Sequence, residues 1–161
     1  MIKANPIQYK ITSPIGILYL VASLKGLQGI YWTKQPVKLV KFLDRSQPSE
    51  RILDDSQQQL DEYFSGRRRN FDIPLDVEGT VFQKKVWQEL AKIPFGQTVS
   101  YRDIAKKIKN PKAVRAVGSA NGRNPVCIVI PCHRVIAADG SIGGYTGGIR
   151  IKQQLLTLEQ A

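Results

Sequence analysis

The chain has 161 residues, of which 42% are hydrophobic and 23% charged, and its formal net charge is +11. These values are typical of a globular protein with one medium domain or two small ones. Short apolar runs, a start without a signal-peptide core and only two cysteines argue against a membrane protein or a secreted disulfide scaffold, and favour a cytoplasmic protein with reduced thiols.

The first quarter of the chain has the pattern of a β-meander. Apolar and polar residues alternate over residues 7–11, a Ser-Pro-Ile-Gly turn follows, and residues 17–22 form a second, more apolar run. A further turn, framed by glycines, would lead to a third strand at residues 30–32.

A covering helix is predicted for residues 51–65, because apolar residues recur there at helical spacing and Gly66 follows as a stop. After three consecutive arginines, alternation resumes over residues 71–77 and predicts another strand. This half of the chain contains no set of residues that suggests chemistry.

A change of pattern near residues 77–79 predicts a boundary between an N-terminal domain, 1–78, and a C-terminal domain, 79–161. Lys and Arg exceed Asp and Glu by 11 to 9 in the first domain and by 13 to 4 in the second. A basic half is what a phosphate-binding surface requires. A basic surface kept for solubility would have the same composition.

Two capping boxes predict where helices of the second half begin. Thr80-x-x-Gln83 precedes a helical stripe that Pro94 ends, and Ser100-x-x-Asp103 opens another helix that ends at Asn110-Pro111.

A third helix is predicted from Lys112 to Ala120, with Pro111 suited to its first turn. Its inward residues would be Ala113, Val114 and Val117. Two short basic helices joined by a tight turn resemble a helix-turn-helix. An ordinary helical hairpin with a solvated basic face would show the same pattern.

The segment that carries chemistry follows these helices. Residues 126–130 are apolar and largely β-branched, which predicts a buried strand that Pro131 ends. Cys132 would then lie partly open on a rigid support, beside His133, the only histidine. A contact between these two side chains needs a turn or a bridging water, since neighbours in extended backbone point apart.

The two cysteines are not expected to pair. Five extended residues would separate them by roughly 16 Å, beyond the roughly 7 Å limit for a disulfide. Cys127 is therefore expected to be an inert core thiol and Cys132 the candidate nucleophile, with a purely structural Cys132 as the alternative. Two cysteines and one histidine also fall short of a four-ligand zinc site.

The last segment adds a glycine-dense loop at residues 143–148, which suits close approach to a flat ligand or is simply a flexible turn. A final helix is predicted from Ile149 to Glu159, with Ile151, Leu155 and Leu158 facing inward. Glu159 lies at the unfavourable end for the helix dipole. A solvated terminal carboxylate would explain it, and so would a functional partner such as His133.

One known family matches these residues. Pro131-Cys132-His133-Arg134-Val135 resembles the active-site signature of the O6-alkylguanine-DNA alkyltransferases, also called methylated-DNA–protein-cysteine methyltransferases. The resemblance is strongest from Val81 to Glu159 and includes these segments: Ser100-Tyr101, Asn110 to Gly118, Asn124-Pro125, and Gly144 to Gly148. It implies a ribonuclease-H-like α/β domain followed by a mostly helical, winged helix-turn-helix-like domain that bears the active-site cysteine.

The resemblance also implies roles for individual residues near the thiol. Cys132 would be the alkyl acceptor, and its thiolate would be favoured by Glu159 and by His133 acting through a water. Asn124 would be the hinge that braces the site. Tyr101 would help to rotate the nucleotide and donate toward the guanine ring.

Further roles concern DNA and the flipped base. Arg115 would enter the duplex as a finger and fill the space that the base leaves. Tyr145 would pack beside the base and Thr146 would lie near the alkylated oxygen, while the carbonyls of Cys132 and Val135 would accept from the exocyclic amine. The remaining DNA contacts are expected from Lys112, Ala113, Val114, Gly118 and Arg123.

The activity implied is direct repair of double-stranded DNA that holds O6-alkylguanine, and also O4-methylthymine. A monomer would bind the minor groove, flip the base out and accept the alkyl group irreversibly in a single turnover. A reactive atom inside stacked bases is inaccessible, and displacement at a saturated carbon favours a thiolate. No cofactor is implied, and the zinc site of some relatives would need Cys or His before Cys127, where this chain has none.

Three other interpretations compete with repair. An alkyltransferase-like module would recognise damage without repairing it, but such relatives lack the reactive cysteine. A hydrolase using Cys132 and His133 would leave the basic helices unexplained. A transcription regulator would use the helices and give Cys132 no role.

Overall fold

The first unit of the chain is a four-stranded sheet with one long helix. The computed structural model describes residues 5–161, which divide into two units, Met1–Glu78 and Gly79–Ala161. The elements of the first unit are β1 (Ile7–Ser13), β2 (Gly16–Ala22), β3 (Leu27–Tyr31), β4 (Lys38–Val40) and α1 (Pro48–Phe64).

The sheet has the order β3-β2-β1-β4, with β4 parallel to β1 and the other pairs antiparallel. A tight turn joins β1 to β2 and places Ser13 opposite Gly16, whose φ of 107° is a conformation that favours glycine. The helix buries one face against the strands, and Leu53, Leu60 and Tyr63 on that face are fully buried. Burial of this apolar face stabilises the unit.

Three predicted strands and the helix of this unit are confirmed, but two details of the prediction are wrong. Residues 71–77 do not form a strand, because Pro74 cannot donate to a ladder and Leu75 makes only an isolated bridge to Leu27. The short strand β4 was not predicted. Its approach to β1 is held by the buried amide of Gln8, which donates to the carbonyls of Gln35 and Val37 at 2.7 and 2.6 Å.

The second unit is mostly helical. Its elements are α2 (Val81–Leu90), β5 (Val99–Ser100), α3 (Tyr101–Lys107), α4 (Val114–Gly122), a 3-10 turn (Cys132–Arg134), β6 (Val135–Ile136) and α5 (Ile149–Gln160). The two short strands β5 and β6 pair in parallel. This pairing brings the start of α3 beside the end of the 3-10 turn, so that the helix pair and the cysteine share one framework.

Helix starts in this unit follow their caps. Both predicted capping boxes are present, at Thr80 with Gln83 and at Ser100 with Asp103. The third helix starts later than predicted, at Val114, so that Pro111 lies in the connecting turn. That turn contains one residue in the left-handed region, Lys109, with a φ of 61°.

The register of α4 changes which of its residues are buried. Val117 is buried, whereas Val114 is 36% exposed, and the prediction that Val114 faces inward is wrong. The indole of Trp87 on α2 donates to the carbonyl of Ala120 at 2.9 Å and fixes α4 against α2. Within residues 5–161, no helix has the length and apolarity needed to cross a bilayer.

We predict that Thr80→Ala lowers the free energy of unfolding by about 1 kcal/mol, because the hydroxyl caps the amide of Gln83 at 3.1 Å. Urea denaturation of both proteins measures the difference. The matched control is Thr157→Ala, at an exposed position on α5 outside the caps. Equal unfolding midpoints for the two variants would contradict the assigned cap.

Candidate active site

The backbone before Cys132 forms a folded turn in place of the predicted strand. The amide of Ile130 donates to the carbonyl of Val126 at 2.9 Å, and Ile128 has a φ of 78°. The side chain of Asn124 forms hydrogen bonds with the backbone of this turn. It accepts from the amide of Val126 at 3.0 Å and donates to the carbonyl of Ile130 at 2.8 Å. These local hydrogen bonds outweigh the strand propensity of the apolar run.

Ile128 is an unusual residue for such a turn. A β-branched residue at positive φ is strained, and the cost is of the order of 1–3 kcal/mol. The side chain is fully buried, so packing offsets the strain. Strain of this kind is typical of functional sites, where the surrounding structure holds the backbone in place.

The turn brings the two cysteines into contact. Their sulfur atoms lie 3.9 Å apart, so the expectation of a wide separation is wrong because it assumed extended backbone. Both remain free thiols and both are buried. Cys127 is therefore not an isolated core thiol, since it is a direct neighbour of Cys132.

The environment of Cys132 favours its thiolate. The hydrogen bond between the two sulfur atoms is the largest cause that lowers the pKa of Cys132, with smaller contributions from the Asn124 side chain and the Lys152 charge. Burial acts in the opposite direction, since the thiol is only 2% exposed. The reciprocal effect raises the pKa of Cys127 well above its usual range, so that Cys127 is the proton-bearing member of the pair.

Glu159 holds the two residues that follow the cysteine. Its carboxylate lies 2.6 Å from Nε2 of His133, and it accepts two hydrogen bonds from the guanidinium of Arg134, at 2.8 and 3.0 Å. The amide of Gly96 is a further donor at 3.2 Å. All three ionisable side chains are buried, so Glu159 is a partner of His133 and not a solvated terminal carboxylate.

His133 is arranged as a neutral base. Burial is the main cause that lowers its pKa, and Glu159 only partly counters this effect. A neutral ring that donates from Nε2 to Glu159 leaves Nδ1 as an acceptor. That nitrogen is buried and makes no hydrogen bond to any group in residues 5–161. The 3-10 turn supplies the bend that the sequence required here, and a direct bond between His133 and Cys132 is not among its contacts.

Lys152 is a site residue that the sequence analysis missed. It is fully buried, and its ammonium donates to the carbonyls of Val135 and Gly144 at 2.6 and 3.1 Å. Burial lowers its pKa to about 8. The available signal was its place on α5: Lys152, Leu155 and Glu159 form the buried stripe, while Ile151 and Leu158 are only partly buried.

Tyr101 stands across from the thiol at the start of α3. Burial, followed by the charge of Cys132, raises the pKa of its phenol, which therefore stays protonated and able to donate. The ammonium of Lys152 lies 5.9 Å from the ring centroid. Gly143 closes the loop over this ring; with a φ of 74°, any Cβ there would stand 2.8 Å from the Tyr101 hydroxyl oxygen.

The other residues expected to contact the flipped nucleobase lie near the glycine-dense loop. The hydroxyl of Tyr145 lies close enough to Cys127 to lower the pKa of that thiol, and the hydroxyl of Thr146 donates to the carbonyl of Gly122 at 2.8 Å. The carbonyl of Val135 accepts from Lys152. The loop is thereby tied to both the cysteine turn and the end of α4.

The helix pair presents a basic, exposed face. The exposed members among the DNA-contact candidates are Lys112, Val114, Arg115 and Arg123, whereas Ala113 and Gly118 are partly buried. A Cβ at Gly118 would be 4.0 Å from the Tyr101 ring, so α4 passes close to α3 at this point. The arginine candidates are therefore free to reach a ligand, while the small residues set the spacing of the helices.

Family models match both units. Residues 8–77 match the 6-O-methylguanine DNA methyltransferase, ribonuclease-like domain, and residues 81–161 match the 6-O-methylguanine DNA methyltransferase, DNA binding domain. The predicted fold class, a ribonuclease-like α/β domain followed by a helical DNA-binding domain, is confirmed.

Individual relatives cover most of the chain. The methylated-DNA–protein-cysteine methyltransferase of Methanosarcina acetivorans is 46% identical over 147 residues, which are 91% of this chain and 94% of that protein. The inducible methylated-DNA–protein-cysteine methyltransferase of Bacillus subtilis is 42% identical over 149 residues, which cover 88% and 83%. Mycobacterium tuberculosis OGT, solved in complex with DNA, has a TM-score of 0.86 at 40% identity over 96% of this chain and 92% of that chain.

We predict that Lys152→Met moves the pH profile of Cys132 reactivity to higher pH, because it removes a positive charge that favours the thiolate. Labelling by iodoacetamide from pH 5 to pH 10 measures the profile, and labelling near pH 7 is expected to slow several-fold. The difference in labelling rate between the variant and the wild type should become smaller as pH rises through about 8, because Lys152 in the wild type loses its charge there.

The matched control for this variant is Lys106→Met, which removes an equal charge from an exposed position on α3. A profile that shifts equally in both variants would point to general electrostatics and contradict a specific effect of Lys152.

Proposed function

The chain belongs to the family of methylated-DNA–protein-cysteine methyltransferases, which are DNA-binding enzymes of DNA repair, and we propose that it repairs O6-alkylguanine by accepting the alkyl group on Cys132. O4-methylthymine is proposed as a second substrate, since it also carries its alkyl group on an exocyclic oxygen. The observation that carries the proposal is the buried Cys132 thiol, whose pKa is lowered by its neighbours, within the Pro131–Val135 signature.

The proton of Cys132 leaves through His133. The buried Nδ1 acceptor of His133 receives it by way of one water molecule, and Glu159 stabilises the resulting imidazolium across the 2.6 Å contact. Arg134 holds the carboxylate in place with its two-pronged hydrogen bond. Glu159 therefore acts on the thiol through His133.

Transfer is a displacement at the alkyl carbon. A lone pair of the Cys132 thiolate forms the S–C bond, the C–O bond breaks, and its electron pair passes into the guanine ring. The phenol of Tyr101 donates a hydrogen bond as this charge builds, which its raised pKa allows because the proton is retained at neutral pH. The product is a thioether, which is chemically stable, and each molecule therefore acts once.

The alkylated base must leave the duplex to reach a sulfur that is 2% exposed. Unstacking costs a few kcal/mol, and phosphate contacts with the basic face together with insertion of Arg115 offset that cost. Arg115 is exposed on α4, and the flanking small and apolar residues allow close approach to a minor groove. Asn124 acts as the hinge between this helix and the cysteine turn, through the hydrogen bonds that hold residues 126–130.

The flipped base lies against the glycine-dense loop. Tyr145 packs beside the ring, Thr146 lies near the alkylated oxygen, and the carbonyls of Cys132 and Val135 accept from the exocyclic amine. Lys152 occupies one acceptor site of the Val135 carbonyl and leaves its second lone pair for the base. Since one chain carries the DNA-binding helices and the acceptor thiol, we propose that it works as a monomer on cytoplasmic, nucleoid DNA.

We expect incubation with duplex DNA containing O6-methylguanine to add one methyl group to Cys132, because this is the thiol of the pair whose pKa is lowered. Intact mass and peptide mapping locate the methyl group, and digestion of the DNA quantifies repaired guanine. Cys132→Ser is the control and should remain unmodified. Lesion loss at the normal rate in that variant would refute the proposed acceptor.

Arg115→Ala should slow repair of the duplex lesion by tenfold or more while leaving the reaction with free O6-benzylguanine nearly unchanged. The reason is that only the duplex substrate contains the space left by the flipped base, which the Arg115 side chain would fill. Single-turnover rates on the two substrates measure the difference. Arg102→Ala, which removes an exposed charge from α3, controls for the loss of general DNA attraction. Equal losses on both substrates would contradict the finger role.

A further inference from the structure

The thiol of Cys127 is a buried nucleophile that alkyl transfer does not consume. It lies 3.9 Å from the sulfur of Cys132, at the other end of the folded turn. The contact depends on that turn: the bonds from Ile130 to Val126 and from the amide of Cys132 to the carbonyl of Ile130 fold the intervening residues back on themselves. Two free thiols are thus held side by side in the reduced protein.

We propose that Cys127 is a resolving thiol, which forms a reversible disulfide with Cys132 when peroxide oxidises the acceptor. The disulfide protects Cys132 from irreversible oxidation and switches off alkyl transfer until a dithiol reduces it. The bond itself is independent of the repair reaction, and only its effect on transfer rests on the proposed function.

The chemistry takes place in two balanced steps. The Cys132 thiolate attacks one oxygen of hydrogen peroxide and the O–O bond breaks, which converts Cys132 to a sulfenic acid. The departing hydroxide takes a proton from solvent and leaves as water. The sulfur of Cys127 then attacks the sulfenic sulfur, the S–OH bond breaks, and a second water leaves with the Cys127 proton. Peroxide is the oxidant, and each disulfide consumes one molecule of it.

The pKa shifts of the two thiols determine the order of these steps. Cys132 is the thiol whose pKa is lowered, so it reacts first with the oxidant. The pKa of Cys127 is raised chiefly by its hydrogen bond to Cys132, then by burial and by the charge on Cys132. Oxidation of Cys132 to a neutral sulfenic acid removes the contribution of that charge, so that Cys127 becomes a better nucleophile after its partner is oxidised.

The geometry requires little movement. A disulfide bond is about 2.05 Å long, so the sulfur atoms must approach by about 2 Å, within the reach of small side-chain rotations. The Tyr145 hydroxyl lowers the pKa of Cys127, which favours loss of the Cys127 proton as the disulfide forms. Both thiols are buried, which favours a small oxidant such as hydrogen peroxide over a bulky one.

Peptide mass spectrometry after hydrogen peroxide treatment tests the proposal. Trypsin cleaves after Arg123 and Arg134, so both cysteines fall in one peptide of the full-length protein. We expect this peptide, isolated with N-ethylmaleimide present, to be lighter by two hydrogen atoms and to recover two reactive thiols after dithiothreitol. A peptide with Cys132 as sulfinic acid and Cys127 still labelled by N-ethylmaleimide would overturn the proposal, as would a peptide without oxidation.

Cys127→Ser is the matched variant, with Cys127→Ala as a second in case serine perturbs the turn. Both variants are compared with their own untreated activity. Peroxide should abolish methyl transfer in the wild type and in both variants. After dithiothreitol treatment, the fraction of methyl-transfer activity that returns should be at least tenfold larger in the wild type than in either variant. Equal recovery would contradict a resolving role. Methyl transfer by untreated wild type reports on the proposed function separately, so failure of one proposal is distinguishable from failure of the other.

Discussion

The buried carboxylate of Glu159 is the interaction on which the site depends. It comes from the last turn of α5, yet it binds both His133 and Arg134, which follow Cys132 in the 3-10 turn. A charge that is 5% exposed is tolerable only because donors surround it on several sides. This network orients the histidine, ties the end of the chain to the cysteine turn, and leaves one ring nitrogen available for proton transfer.

The pKa of the Cys132 thiol results from a balance of opposing effects. Burial alone would keep Cys132 protonated, whereas the Cys127 S–H, the Asn124 amide and the Lys152 ammonium each favour the charged sulfur. These groups come from the folded turn, the residue before it and α5. The same close packing that lowers the pKa of Cys132 also places a second thiol beside it.

Local sequence patterns were sufficient to predict secondary structure where the hydrogen bonds of a segment are made within that segment. The capping boxes at Thr80 and Ser100 were predictable because each motif pairs donors and acceptors three residues apart. The strands of the first sheet followed from alternation, and the resemblance around Cys132 was enough to identify the family. The strand predicted over residues 126–130 failed because a side chain, Asn124, supplies its hydrogen bonds in place of a neighbouring strand.

The sequence by itself determined the family and the α/β and helical halves, and it singled out Cys132 as the candidate alkyl acceptor. Only the tertiary structure decided that Cys127 touches Cys132, that Lys152 is buried, and that Glu159 faces His133. The physical reason is that these contacts join residues through folded backbone and through helix packing. Neither the distance between two sulfur atoms nor the burial of a charged side chain is encoded in the periodicity of a single segment.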